Sequence, residues 1–116
     1  MSEKTPLVSI IINCYNGEKY LAEAINSIYA QTYKNWEIIF WDNASIDSSA
    51  TIAKSYDKRL KYYSSKSTTT LSHARFEAVK KINGEYLSFL DCDDLWQNDK
   101  LEKQIDVMKK HDNCFC

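Results

Sequence analysis

The sequence predicts an α/β fold, a mostly parallel sheet with helices on both faces. Three observations predict it. Short runs rich in β-branched and aromatic residues recur along the chain, each bounded by polar residues. Stretches with helical spacing separate them, and strands divided by helices pair in parallel through right-handed crossovers. With 116 residues, two glycines and one proline, the chain fits one domain without a long linker.

Residues 1–6 read as a flexible start, and residues 7–116 as the domain. The run 8–13, Val-Ser-Ile-Ile-Ile-Asn, suits a buried parallel strand. Asn16-Gly17 breaks it. Leu21, Ala24, Ile25 and Ile28 then follow helical spacing over 19–30, with Asn16 as the expected cap and Glu18 favoured by the helix dipole. Residues 36–41 are the second strand. A polar loop follows over 42–48, then a short helix over 49–56 and a weaker strand over 60–64. The uniform polar segment 66–70 reads as a mobile loop. Residues 71–82 read as a helix with Ala74, Ala78, Val79 and Ile82 on one stripe, stopped by Gly84. Residues 86–90 form the fourth strand. The last helix spans 101–110, with Ile105 and Met108 inward, and 113–116 read as the start of a fifth strand.

Bulk properties exclude several classes. A net charge of −1 gives no basic field for nucleic acid or for an anionic membrane. The longest apolar run, Ile10 to Ile12, is far too short to span a bilayer, so no membrane segment is expected in this chain. The polar N-terminus carries no secretory signal, which makes the cytoplasm the expected compartment, although a longer protein could still associate with a membrane. Of the four cysteines, Cys114 and Cys116 are too close for a usual zinc knuckle, and His111 is their lone neighbour. Cys14, Cys92, Cys114 and Cys116 are expected to be reduced structural thiols.

Chemistry is expected at the carboxyl ends of the strands, where open α/β sheets bind ligands. Cys14, Tyr15 and Asn16 follow the first strand, and Asp42 and Asn43 follow the second. After the fourth come Asp91, Asp93 and Asp94, three carboxylates within four residues. Carboxylate oxygens suit a hard divalent cation. If the first two strands are neighbours and the fourth flanks the first, these loops meet in one crevice. An aromatic ring, a carboxylate for base or ribose donors and a cation-holding cluster would suit a nucleoside diphosphate. Each residue also has a plainer reading. Tyr15 could be half-buried packing, Asp42 or Asp47 a helix cap, Arg75 a solvated charge and His73 a surface residue. At one sheet edge they point jointly to a ligand.

The order Val-Ser-Ile-Ile-Ile-Asn-Cys-Tyr-Asn, Trp-Asp-Asn-Ala-Ser-Ile-Asp-Ser-Ser, Ala-Arg and Asn-Gly-Glu-Tyr-Leu-Ser-Phe-Leu-Asp-Cys-Asp-Asp resembles glycosyltransferase family 2. The resemblance runs collinearly over about residues 7–116. It implies the Rossmann-like N-terminal half of a GT-A fold and a nucleotide-diphosphate sugar as donor, with a UDP-sugar favoured. It implies that Tyr15 packs on the base beside Asn16 and that Asp42 accepts a hydrogen bond from the base. It places Arg75 near the nucleotide and Asp91 on the ribose or sugar side. Asp93 would hold Mn2+ or Mg2+ through the diphosphate, and Asp94 matches a third acidic position. The family usually has Pro-Thr where this chain has Asn13-Cys14, and Asn and Gly where it has Phe76 and Ala78. The resemblance further implies a second half, beyond Cys116, that supplies the catalytic base and binds an acceptor glycan or lipid-linked saccharide. The chain is therefore expected to be a donor-binding portion, inactive alone, of an enzyme of cell-surface polysaccharide synthesis.

Three other readings compete. A phosphoacceptor receiver domain needs an acidic pair after the first strand and an Asp after the third, where this chain has Cys14-Tyr15-Asn16 and Ser64-Ser65. A nucleotidyltransferase-like domain would carry a Gly-rich basic loop after the first strand, which Asn16-Gly17-Glu18-Lys19 matches poorly. A non-catalytic nucleotide-sugar-binding module stays compatible with these residues.

Overall fold

A computed structural model of the protein describes residues 6–110. The elements run β1 (Val8–Cys14), α1 (Glu18–Tyr29), β2 (Trp36–Asp42), α2 (Ser49–Lys54), β3 (Leu60–Ser64), α3 (Leu71–Val79), β4 (Tyr86–Phe89) and α4 (Lys100–Lys110). All strand pairs are parallel, in the order β3-β2-β1-β4. The chain thus winds outward from β1 through β2 to β3, then crosses back to place β4 on the other side of β1. That reversal opens a crevice between the carboxyl ends of β1 and β4.

The side-chain period of two along a strand sorts the core into two layers. Ile10, Ile12 and Cys14 of β1 join Ile38 and Phe40 of β2 against α1, α2 and α4. Ile11, Ile39 and Trp41 face the other way, against Ala74 and Ala78 of α3. Both faces of β1 and β2 are therefore covered, which explains their near-continuous apolar runs. Burying one such isoleucine stabilises by about 1.5–3 kcal/mol. The small alanines of α3 let that helix approach the sheet closely, while its Leu71 and Phe76 stay exposed.

Two buried polar groups hold the ends together. Gln31 is fully buried at the end of α1. Its Nε2 donates to the Gln97 carbonyl at 2.7 Å, and its Oε1 accepts the Leu101 N–H at 3.0 Å, which docks the first turn of α4. Glu37 is also buried, and its oxygens accept from Ser9 Oγ at 2.6 Å, Lys61 Nζ at 2.6 Å and the Asn83 N–H at 2.7 Å.

The structure corrects several sequence-based expectations. The third helix stops at Val79 rather than Ile82, because Glu37 captures the Asn83 N–H and Ser9 Oγ accepts the Gly84 N–H. Gly84 is not a left-handed helix stop. It is needed because a Cβ there would lie 2.5 Å from the Leu7 carbonyl oxygen. The second helix ends at Lys54 instead of Tyr56. Tyr56 leaves it to stack on Tyr29 at 5.3 Å and to reach Asn26 Oδ1 at 2.8 Å. Asn16 does not cap α1. Gly17 takes that position without a side-chain bond. Pro6, read as part of a flexible start, is buried, and its carbonyl accepts the Tyr33 hydroxyl. The expected fifth strand over 113–116, with Cys114 and Cys116, lies outside the described residues.

Candidate functional site

The carboxyl edge of the sheet carries three loops, and their polar groups are arranged by one another. Asn16 sits at φ 50°, a conformation asparagine tolerates well. Its N–H donates to Ser45 Oγ and its Oδ1 accepts the Ile46 N–H, each at 2.8 Å. Asp47 accepts from the Glu18 N–H at 3.1 Å and from the Ser49 N–H at 2.9 Å, so one carboxylate serves the first turns of α1 and α2. Glu18 Oε1 in turn accepts the Ser48 N–H at 2.8 Å. The loops after β1 and β2 are thereby a single unit. Tyr15 projects from it, 54% exposed.

Asp42 ends β2 and is only 2% exposed. Its Oδ1 accepts the Ser45 N–H at 2.9 Å and its Oδ2 accepts the Tyr62 hydroxyl at 2.5 Å. Burial and this carboxylate push the Tyr62 phenol up to about 12. Asn43 was not foreseen as a positioning residue. Its Nδ2 donates to the Thr69 carbonyl and its Oδ1 accepts the Thr69 N–H, both at 2.8 Å. The segment read as a mobile loop is thus tethered at Thr69. The tether shapes a cleft of about 200 Å3 lined by Asn13, Tyr15, Asn43, Thr68, Thr69 and Leu71. Asn13 Oδ1 is buried there without a hydrogen-bond partner.

Across the crevice, the Leu90 N–H bonds the Ile11 carbonyl at 3.0 Å, and the chain then turns on an Asp94 N–H bond to the Asp91 carbonyl, also 3.0 Å. Asp91, Asp93 and Asp94 each present a carboxylate oxygen within 4.8 Å of the others, all exposed. A divalent cation with oxygen ligands at about 2.0–2.6 Å holds those oxygens roughly 3–5 Å apart, so the three carboxylates are within reach of one hard cation. Arg75 of α3 lies beside this turn. Its Nη2 is 3.9 Å from Asp91 Oδ1, and its guanidinium is 5.4 Å from the Phe89 ring centroid. An exposed pair at that distance contributes little stability, which leaves Arg75 free to meet an anion. His73 stays exposed in the first turn of α3, where its N–H bonds Thr70 Oγ1 at 3.2 Å.

Two thiols close the floor of the crevice. Cys14 is buried at the end of β1, and Cys92 is partly exposed between Asp91 and Asp93. A Cβ at Gly17 would lie 2.7 Å from Cys92 Sγ and 3.0 Å from Cys14 Sγ, so glycine is required there for space. The two thiols perturb each other: the Cys92 thiol beside it lowers Cys14 to about 7, and the Cys14 sulfur together with burial pushes Cys92 up. The sequence showed two cysteines far apart in the chain. Only the β1–β4 adjacency reveals them as a pair.

Of the residues the sequence singled out, Tyr15, Asn16 and Asp42 share one side of the crevice. Arg75, Asp91, Asp93 and Asp94 share the other. This is a doubly wound α/β protein with an acidic, cation-suited turn facing an aromatic cleft at its switch point. The model of glycosyl transferase family 2 matches residues 9–116, and the chain belongs to that family. An uncharacterized glycosyltransferase of Rickettsia typhi is 45% identical over 109 residues, 94% of this chain and 34% of that protein. WfgD of Escherichia coli, a UDP-Glc:alpha-D-GlcNAc-diphosphoundecaprenol beta-1,3-glucosyltransferase, is 37% identical over 94% of this chain and 44% of its own length. TarS of S. aureus, solved with UDP-GlcNAc, superposes with a TM-score of 0.86 at 27% identity, covering 90% of this chain and 32% of that one. The fold is that of the N-terminal part of a GT-A glycosyltransferase. The chain spans between about a third and a half of the length of these curated relatives. No helix among the described residues is long and apolar enough to cross a membrane.

Proposed function

We propose that the chain is the donor-binding part of a glycosyltransferase that moves a sugar from a nucleoside-diphosphate sugar, a UDP-sugar by preference, to an acceptor hydroxyl in cell-surface polysaccharide synthesis. The observation that carries this reading is the convergence of the Tyr15 cleft and the three-carboxylate turn on the β1–β4 crevice. The names of WfgD and of the TarS complex, both with UDP-sugars, favour uridine.

In this reading Tyr15 stacks on the base. Asp42 accepts a base N–H with a second lone pair, since each of its oxygens already accepts one bond. Its bond from Tyr62 fixes the carboxylate before the nucleotide arrives. Asn16 acts through its bonds to the Ser45 loop, which hold the Tyr15 turn. Arg75 lies where a diphosphate would pass between α3 and the acidic turn. Asp91 faces the ribose or sugar, and Asp93, with Asp91 and Asp94 near it, would hold Mn2+ or Mg2+. Such a cation, when bound, neutralises the charge that develops on the departing diphosphate. The acceptor, a glycan or a lipid-linked saccharide, and the base that deprotonates its hydroxyl belong to parts of the protein outside the described residues.

The base preference is the direct test. Titration with UDP, dTDP and GDP, each with Mn2+, should give the tightest binding for UDP and at least about tenfold weaker binding for GDP, a difference of roughly 1.4 kcal/mol. Equal or tighter binding of GDP would remove the uridine reading.

A further inference from the structure

The thiols of Cys14 and Cys92 have no part in donor binding as described above, yet they lie where the two halves of the site meet. Cys14 belongs to β1, whose next residue is Tyr15. Cys92 sits inside the acidic turn, with Asp91 before it and Asp93 after it. Their sulfurs flank the same point above Gly17, at 2.7 and 3.0 Å from where its Cβ would be. No side chain separates them at that point, because glycine leaves it open. Beyond the Leu90 N–H bond to Ile11, the turn is closed by its own Asp94–Asp91 bond. A cross-link between these sulfurs would tie it to the central strand.

We propose that Cys14 and Cys92 form a redox site, in which a small neutral disulfide drives them into a cross-link that fastens the acidic turn to β1. Cys92 is the entry point, since it is partly exposed while Cys14 is buried. Cys92 passes its proton to the Cys14 sulfur beside it and attacks one sulfur of the reagent; the reagent's S–S bond breaks, and the small thiolate that leaves takes that proton from Cys14. The Cys14 thiolate then attacks the Cys92 sulfur of the mixed disulfide and releases the second small thiolate. The two leaving thiolates take up the two protons that the cysteines lost. Two protein thiols are oxidised to one disulfide, and the reagent disulfide is reduced to two thiols. A neutral reagent is required because three exposed carboxylates surround the entry point and repel an anionic one.

The geometric consequence follows from bond lengths. A disulfide holds its sulfurs about 2.0 Å apart, well inside the distance of two hydrogen-bonded thiols. Closing it draws Cys92 toward β1 and carries Asp91 and Asp93 with it. The carboxylate spacing that suits a cation is then altered. The effect on nucleotide binding rests on the donor-site reading, but the cross-link itself does not.

The test uses the whole chain, folded, with bis(2-hydroxyethyl) disulfide in excess. The expected product is lighter by two hydrogens and yields a peptide pair joined through Cys14 and Cys92. Hydrogen exchange over residues 90–96 should slow, and dithiothreitol should reverse both changes. Cys14→Ser and Cys92→Ser should each abolish the linked pair. A persistent Cys92 adduct without the linked pair, or linkage confined to Cys114 and Cys116, would overturn the proposal. So would unchanged exchange over 90–96 in fully linked protein. In the linked form, UDP binding with Mn2+ should weaken by about tenfold and recover on reduction. Equal affinity of linked and reduced protein would overturn the coupling to the site. Failure of the reduced protein to bind UDP at all would instead sink the donor-site reading and leave the linkage result standing.

Discussion

Asp42 carries two duties at one position. It is a buried carboxylate bonded by Ser45 and Tyr62, and it is the acceptor the donor reading assigns to the base. The sequence raised helix capping and base recognition as rival roles. The structure gives the capping role largely to Asp47, and it gives Asp42 a structural partner, Tyr62, that the sequence did not suggest. The two duties can be separated by substitution. Tyr62→Phe removes one hydrogen bond and should cost about 1 kcal/mol of stability with at most a few-fold loss of UDP affinity, since the Ser45 N–H still holds the Asp42 carboxylate. Asp42→Ala strands the partly buried Tyr62 hydroxyl and the Ser45 N–H, and should cost about 2–3 kcal/mol while also weakening UDP binding roughly ten- to a hundredfold. Thermal melts and UDP titrations on both variants check this. If both variants melt lower by the same amount and bind UDP like the parent, Asp42 is a structural residue alone.

At the scale of elements, the site end of the sheet depends on a polar stitch at the opposite end. Glu37 starts near the amino end of β2 and joins β1 through Ser9, β3 through Lys61 and the approach to β4 through Asn83. Burial pushes the Glu37 carboxyl up, but bonds from Lys61, Ser9 and Asn83 outweigh it and leave the group below its usual range. A carboxyl lowered on folding contributes stability above its unfolded-state value, about 4.3, and loses it as pH falls through the lowered folded value. Glu37→Gln should therefore cost about 2 kcal/mol near neutral pH, and the cost should shrink toward pH 3. Melting curves of parent and variant across that range test it, and a constant difference would show that charge at Glu37 is irrelevant. Neither Glu37 nor its partners stood out in the sequence. The bond to Asn83 spans 46 residues, and only the crossover that sets β4 beside β1 brings them together. The helix boundaries that the sequence misplaced have the same origin. Tyr56 leaves α2 for Tyr29 and Asn26, and the chain leaves α3 after Val79 so that Asn83 reaches Glu37; these tertiary partners outweigh a local periodicity.

At the scale of the whole molecule, the parallel sheet was legible because the mostly apolar β1 and β2 alternate with helices, whereas the order β3-β2-β1-β4 entered the sequence reading only as a condition, which the structure meets. Given that order, the loops carrying Tyr15, Asp42 and Asp91 to Asp94 had to share one edge. What stayed hidden were contacts within that edge, such as Asn43 to Thr69 and Cys14 to Cys92. Those pairs have no spacing rule, and their residue types are common in any polar loop. In the proposed reading, the fold sets the edge where a nucleotide binds and the acidic turn sets the condition. Three exposed carboxylates repel a diphosphate unless a cation intervenes.

Calorimetric titration of UDP into the protein, with Mn2+ and again with excess chelator, measures that condition directly. Binding should be detectable with Mn2+ and lost in chelator. Asp93→Asn, which keeps the shape but removes the charge, should abolish the Mn2+-dependent binding without lowering the melting temperature. UDP binding of equal strength in chelator, or a variant that binds Mn2+ and UDP like the parent, would show that the acidic turn is only a solvated loop.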